Sequence, residues 1–230
     1  MVKRRIVTRI TRGVAYLIAI QVGVFVVAVF LDPASLGRLV DALVLTPAAL
    51  ANGHVWKLLS TTLVTLDVWT LVFDCLVLWL FLPALEDWWG TRRFLWFFVW
   101  TSLVGNTVGA LVGLALAPEH ALGGITPFVL ASLVAYGVLW SDRVVNLWGV
   151  FPIKGRALAI GVAVLLALWV LFRAAWIEGA AFFSAMGLAW AMTKGVWTPN
   201  LWWLRYRRWR LRRRYKVIDG GKPNDKRWMN

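Results

Sequence analysis

Residues 13–31, 94–118 and 121–141 of this chain contain no Asp, Glu, Lys or Arg. Crossing a hydrocarbon layer about 30 Å thick takes about 20 apolar residues in a helix. Only helices or closed barrels satisfy their backbone in that layer. Residues 157–172 and 179–193 form shorter apolar runs, and residues 58–85 are interrupted only by Asp67 and Asp74. The pattern predicts an all-α integral membrane protein with six spans. The chain is 60% hydrophobic and 16% charged, against about 45–50% and about 25% in soluble domains. The first run follows Lys3, Arg4 and Arg5, but it outruns the roughly 7–15 residues of a signal-peptide core and has no clear cleavage site. It is read as a retained helix.

The net charge of +14 sits at the chain's ends: residues 1–12 hold five basic and no acidic side chains, and residues 205–230 hold eleven basic and two acidic ones. Such a balance suggests nucleic acid in a soluble protein. Beside apolar spans it instead sets orientation, because basic loops stay in the cytoplasm. Arg92 and Arg93 lie between spans two and three, and Arg143, Lys154 and Arg156 between spans four and five. The opposite loops carry Arg38 and Arg173 balanced by Asp32, Asp41, Glu119 and Glu178. Both termini are therefore expected in the cytoplasm. The expected organisation is a basic N-terminus at 1–12, a six-helix membrane domain at 13–195 and a Trp/Arg-rich tail at 196–230.

Within the first loop, residues 32–56, Leu36, Leu39, Val40 and Leu43 recur at helical spacing and predict an amphipathic segment in the membrane interface. In span three, Gly105, Gly109 and Gly113 form overlapping GxxxG steps, which allow close helix approach and are expected to serve packing within the bundle. The tail's Arg205, Arg207, Arg208, Arg210, Arg212, Arg213 and Arg214 are interleaved with Trp and Tyr and read as an anchor for anionic lipid headgroups, in preference to nucleic acid. A single cysteine, Cys75, excludes an internal disulfide. Two isolated histidines, His54 and His120, give no metal-ligand set, and no cofactor is expected.

Val55–Thr61, Leu85–Phe94, Gly123–Pro127, Phe151–Lys154 and Ser184–Gly187 form five ordered pieces over roughly residues 50–195, and together they resemble the rhomboid family of intramembrane serine proteases. Val55-Trp56-Lys57-Leu58-Leu59-Ser60-Thr61 resembles the stretch with which rhomboids leave the first loop. Leu85-Glu86-Asp87-Trp88-Trp89-Gly90-Thr91-Arg92-Arg93-Phe94 resembles their turn after span two. Gly123-Gly124-Ile125-Thr126-Pro127 stands where they carry G-x-S-G, Phe151-Pro152-Ile153-Lys154 where span five begins, and Ser184-Ala185-Met186-Gly187 where span six carries H-x-x-G. Residues 215–230 resemble an extension on some bacterial rhomboids, and the expected location is a bacterial inner membrane.

The resemblance implies a rhomboid-like bundle and a site assembled from spans two, four and six. Carried over by position, the serine nucleophile becomes Thr126 and its following glycine Pro127. The dyad histidine becomes Ser184, and the span-two His and Asn become Thr70 and Asp74. A hydroxyl nucleophile needs a base to accept its proton, and residues 179–193 contain no histidine. His54 and His120 are candidate substitutes, although each reads more simply as a loop histidine. Thr126-Pro127 reads as a helix N-cap followed by a first-turn proline. An intramembrane carboxylate marks a functional site by default, and Asp74 is expected to bond Thr70, Thr126 or Ser184. The reading that follows is a pseudoprotease that binds transmembrane helices of client proteins in a cavity at Thr70, Asp74, Thr126, Pro127 and Ser184. The alternatives are a divergent protease using Thr126 or Ser184, and a membrane scaffold acting through the tail. Resemblance to derlins and other inactive rhomboids implies client binding, quality control or trafficking.

Overall fold

A computed structural model describes residues 10–65, 67–142, 144–147 and 151–195. Helix α1 (Arg12–Phe30) is followed by three short helices, α2 (Pro33–Leu43), α3 (Pro47–Ala51) and α4 (Lys57–Ser60), and a 3₁₀ turn at Thr61–Leu63. Then come α5 (Val68–Trp89), α6 (Thr91–Leu116), α7 (Thr126–Leu139), strands β1 (Val144–Leu147) and β2 (Phe151–Lys154), α8 (Gly155–Arg173) and α9 (Trp176–Thr193). Helices α1, α5, α6 and α8 are each long and apolar enough to cross a membrane. Residues of the tail, Arg205 to Arg214 included, lie outside the described residues.

Two local expectations change. The second long helix begins at Val68 rather than near residue 58, because Asp67 caps it and the preceding stretch folds into short turns. The chain is also not wholly helical. Strands β1 and β2 pair antiparallel, with Val144 opposite Lys154 and Leu147 opposite Phe151, in a stretch containing the β-branched residues Val144, Val145 and Ile153 that favour strands.

Helix α7 lies at the centre. Residues 127–135 are all buried, and Phe128 packs against Phe94, Phe97 and Phe98. Fourteen residues rise only about 21 Å, so α7 starts below the end of its neighbours, and the irregular chain leading into it needs partners. The first loop supplies them. The Leu122 amide donates to the Leu45 carbonyl (2.8 Å), Gly124 donates to Thr61 (3.0 Å), and the Thr61 hydroxyl donates to the Leu122 carbonyl. Irregular backbone at membrane depth is tolerated where protein satisfies it in this way. The predicted amphipathic segment is α2, which buries none of its residues in the bundle.

The glycine steps pack within the chain, as expected. A Cβ on Gly105 would lie 3.0 Å from the Ala181 carbonyl, and one on Gly109 would lie 2.8 Å from the Ala181 Cβ. Thus α6 and α9 meet at nearly backbone distance. On the outside, Val26, Val29 and Phe30 of α1 and Leu165, Leu171 and Phe172 of α8 are exposed, an apolar surface suited to hydrocarbon.

Glu86, near the end of α5, fastens α1 to the bundle. Its Oε1 accepts from the Gly13 amide (2.9 Å) and the Thr91 hydroxyl (2.6 Å), and its Oε2 from the Val14 amide (3.0 Å) and the Thr11 hydroxyl (2.5 Å). The carboxylate thereby satisfies amides that the first turn of a helix leaves free, at the positive end of its dipole. Gly90 follows at φ 77°, where glycine turns the chain from α5 into α6 without a side-chain penalty.

Helix directions segregate charge. Arg12, Arg92, Arg93, Lys154, Arg156 and Lys194 stand at the end where α1, α6 and α8 begin and α5, α7 and α9 finish. Glu86, Asp87 and Asp142 share that end, whereas Asp32, Asp41, Asp67, Glu119 and Glu178 stand at the other with Arg38, Lys57 and Arg173. Among the described residues the first end is therefore net basic and the second net acidic.

Candidate functional site

At the acidic end of the bundle, Asp67 starts α5 by accepting from both the amide and the hydroxyl of Thr70, each at 2.7 Å. These bonds hold the Asp67 carboxyl below its usual range. They also commit Thr70 to capping. Thr70 shares a helix face with Asp74 but does not bond to it, because Asp67 captures its hydroxyl first.

Asp74 lies one turn deeper and is 1% exposed. Its Oδ2 accepts from the Thr126 hydroxyl at 3.3 Å, across the α5–α7 contact. Its Oδ1 is buried with no hydrogen-bond partner. Ser102 on α6 likewise has a buried, unpartnered hydroxyl. An orphaned buried polar atom carries a desolvation penalty of about 1–3 kcal/mol, which a hydrogen-bond donor or an ordered water reaching Asp74 would remove.

Thr126 is presented by the turn that opens α7. Gly124 adopts φ 90°, which favours glycine, and Ile125 rather than Thr126 is the N-cap. The expected capping role of Thr126 is therefore corrected. It is the first helical residue and its hydroxyl goes to Asp74, while Pro127 sits in the first turn, where its missing amide costs little. Pro127 is buried and approaches the α6–α9 seam, 3.3 Å from where a Cβ on Gly105 would stand. Ser184 does not join the pair. Its hydroxyl donates to the Ala181 carbonyl of its own helix at 3.0 Å.

Neither histidine bonds to Thr126. His120 Nε2 pairs with Glu178 at 2.8 Å, and His54 Nδ1 lies 3.1 Å from the Ala49 carbonyl with its ring edge-on to Trp56. Among the residues carrying the sequence resemblance, Trp56 donates to the Ala42 carbonyl at 3.4 Å and Lys57 is buried. Arg92 and Arg93 are exposed on the first turn of α6. Gly187 is exposed, with nothing within 4 Å of where its Cβ would stand. It opens onto a cavity and does not serve close helix packing.

Sequence reasoning missed further polar ties. Gln21, alone in the uncharged run of α1, donates to the Thr62 carbonyl (2.6 Å) and accepts from Thr65 (3.0 Å). Asn106 on α6 donates to the Leu58 carbonyl (2.7 Å). A lone amide inside an apolar run was the available signal for each.

Residues 14–194 match the family described as "Eukaryotic integral membrane protein (DUF1751)". The chain belongs to this family. It is an integral membrane protein, and the outward apolar faces of α1 and α8 have their explanation in that membership. The expected bacterial inner membrane is overturned, because the family is one of eukaryotic membrane proteins. No curated protein matches the chain.

Chemically, the site offers one hydroxyl, one buried carboxyl and an unpartnered carboxyl oxygen. A carboxylate can take a proton from a hydroxyl. An anion beside the nucleophile would, however, oppose the oxyanion that acyl transfer must stabilise. The Asp74 carboxyl is closed off inside the bundle, and neither of two cavities elsewhere in the bundle is lined by Asp74 or Thr126. A polar group from another helix therefore reaches it only where α5 and α7 part.

Proposed function

We propose that this protein is a rhomboid-like, six-span pseudoprotease that holds transmembrane helices of client membrane proteins without cleaving them. Helices α7 and α9 complete the four longer spans. The basic end faces the cytoplasm under the positive-inside rule, which puts both termini there. The observation that carries the reading is the Thr126–Asp74 hydrogen bond, with Ser184 turned to its own helix and both histidines engaged in the loops. The hydroxyl at the position of the rhomboid nucleophile has no imidazole to activate it, while Asp74 keeps a buried, unpartnered oxygen that a guest reaches by parting α5 and α7.

A fluorophosphonate activity probe tests this. The probe should leave the protein unlabelled in membranes where an active rhomboid labels beside it; labelling abolished by Thr126→Ala would overturn the proposal. One observation favours a second reading, a divergent hydrolase in which Asp74 is the base for Thr126, since the two are within hydrogen-bond reach. That reading requires labelling lost in both Thr126→Ala and Asp74→Asn.

A further inference from the structure

Helices α7, α8 and α9 do not close on one another along their whole length. Between them is a cavity of about 740 Å³, inside the roughly 300–1,000 Å³ range of small-molecule sites. Its walls are apolar, and Gly187 keeps one side open. Ser141, Arg156 and Lys194 ring its mouth at the basic end of the bundle, and Val134, Ala163 and Phe183 lie at its far end.

The occupant follows from depth and charge. From mouth to far end the cavity runs seven residues along α7 and α8 and eleven along the C-terminal part of the chain that includes α9. At 1.5 Å per residue that is about 10–16 Å, roughly a third to a half of a hydrocarbon core about 30 Å thick. A partner's transmembrane helix would need the full thickness, whereas a lipid of one leaflet needs half. Among the described residues, no carboxylate lies within 4.0 Å of Arg156 or Lys194. The Asp142 carboxyl accepts from Ser141 at 3.4 Å. The Lys194 ammonium lies 4.4 Å from the centre of the Trp190 ring, a Trp–Lys pairing suited to the headgroup level.

We propose that this groove binds an anionic glycerophospholipid from the leaflet at the basic end. One acyl chain lies along Phe183 and Gly187, and the phosphate sits against Arg156 and Lys194. The site is separate from the Thr126–Asp74 pair and stands whether or not that pair binds clients.

The test uses the full chain in nanodiscs containing a phosphatidylserine with a mid-chain diazirine. Crosslinked peptides should map to the groove faces of α8 and α9, and unlabelled phosphatidylserine should compete far better than phosphatidylcholine. The double variant Arg156→Gln/Lys194→Gln should weaken competition by about 30-fold, the effect of two basic groups near an anionic surface. Gly187→Leu should cut groove labelling at least about fivefold, since nothing lies within 4 Å of its Cβ position and the longer side chain fills the groove. Labelling at outward-facing Phe172 should persist in both variants and reports insertion in the bilayer, and an unchanged thermal unfolding midpoint reports that they remain folded. The proposal is overturned if labelling is uniform around the chain, if neither variant changes it, or if a crosslinked polypeptide occupies the groove.

Discussion

Removing the Glu86 carboxylate should detach the start of α1 from the bundle. Each carboxylate oxygen accepts one backbone amide and one threonine hydroxyl, and Glu86 is 3% exposed. In Glu86→Ala both amides lose their acceptor where water has little access. At about 1.5 kcal/mol for each bond to a charged group, the two cost about 3 kcal/mol, before any loss of the favourable charge at the helix N-terminus. In Glu86→Gln, one carbonyl oxygen keeps one amide and the new NH₂ faces the other. The threonine hydroxyl on the NH₂ side can rotate to accept while the other still donates to the carbonyl, so the cost should be about half. For a chain of this size about 1 kcal/mol shifts Tm by roughly 2–4 °C. Glu86→Ala should therefore lower Tm by about 6–12 °C, and Glu86→Gln by about half as much. Thermal unfolding of purified protein, followed by exposure of Cys75 to a thiol dye, reads both. A Glu86→Ala protein within about 2 °C of the original, or a Gln variant as damaged as the Ala variant, would refute the reasoning.

Gly109→Leu should destabilise by about 1–3 kcal/mol or more through overpacking, because its Cβ would already stand 2.8 Å from Ala181; Gly187→Ala should be neutral in the same unfolding assay. Thr126→Ala leaves Asp74 without its hydroxyl donor and should cost about 1–3 kcal/mol in that assay, with Thr126→Ser restoring most of it. Asp67 has its folded-state pKa depressed by the Thr70 bonds, so its stabilisation is present above the unfolded pKa and lost as pH falls through the folded one. Asp67→Asn should flatten that acid limb, measured as the pH dependence of helicity between neutral and strongly acidic conditions.

Much of the fold was legible because a bilayer imposes long uncharged runs, and Arg12–Phe30, Thr91–Leu116 and Gly155–Arg173 lie close to where those runs predict helices. The glycine steps were legible for a related reason: residues four apart share a helix face, and Gly105 and Gly109 meet Ala181 there. The start of α5 was misjudged because residues 58–66 are as apolar as a span. What sets the boundary is Asp67 bonding Thr70, a polar competition that hydropathy does not weigh.

The same competition separated Thr70 from Asp74. Helix geometry correctly placed them on one face, yet a nearer acceptor took the hydroxyl. The tie from Glu86 to Thr11, Gly13 and Val14 bridges more than 70 residues, a separation no local pattern encodes. The α7–α9 groove comes from helices failing to close, which is visible only when all three are in place.

The central claim, that the Thr126–Asp74 site receives another protein's membrane helix and leaves it intact, is tested most directly by site-specific photocrosslinking. A photoreactive residue at position 126, with one at outward-facing position 172 as control, would be irradiated in native membranes and the products analysed by mass. The account predicts crosslinks from position 126 to intact transmembrane segments, absent from position 172. Crosslinks to lipid alone, or to segments cut within their membrane span, would contradict it.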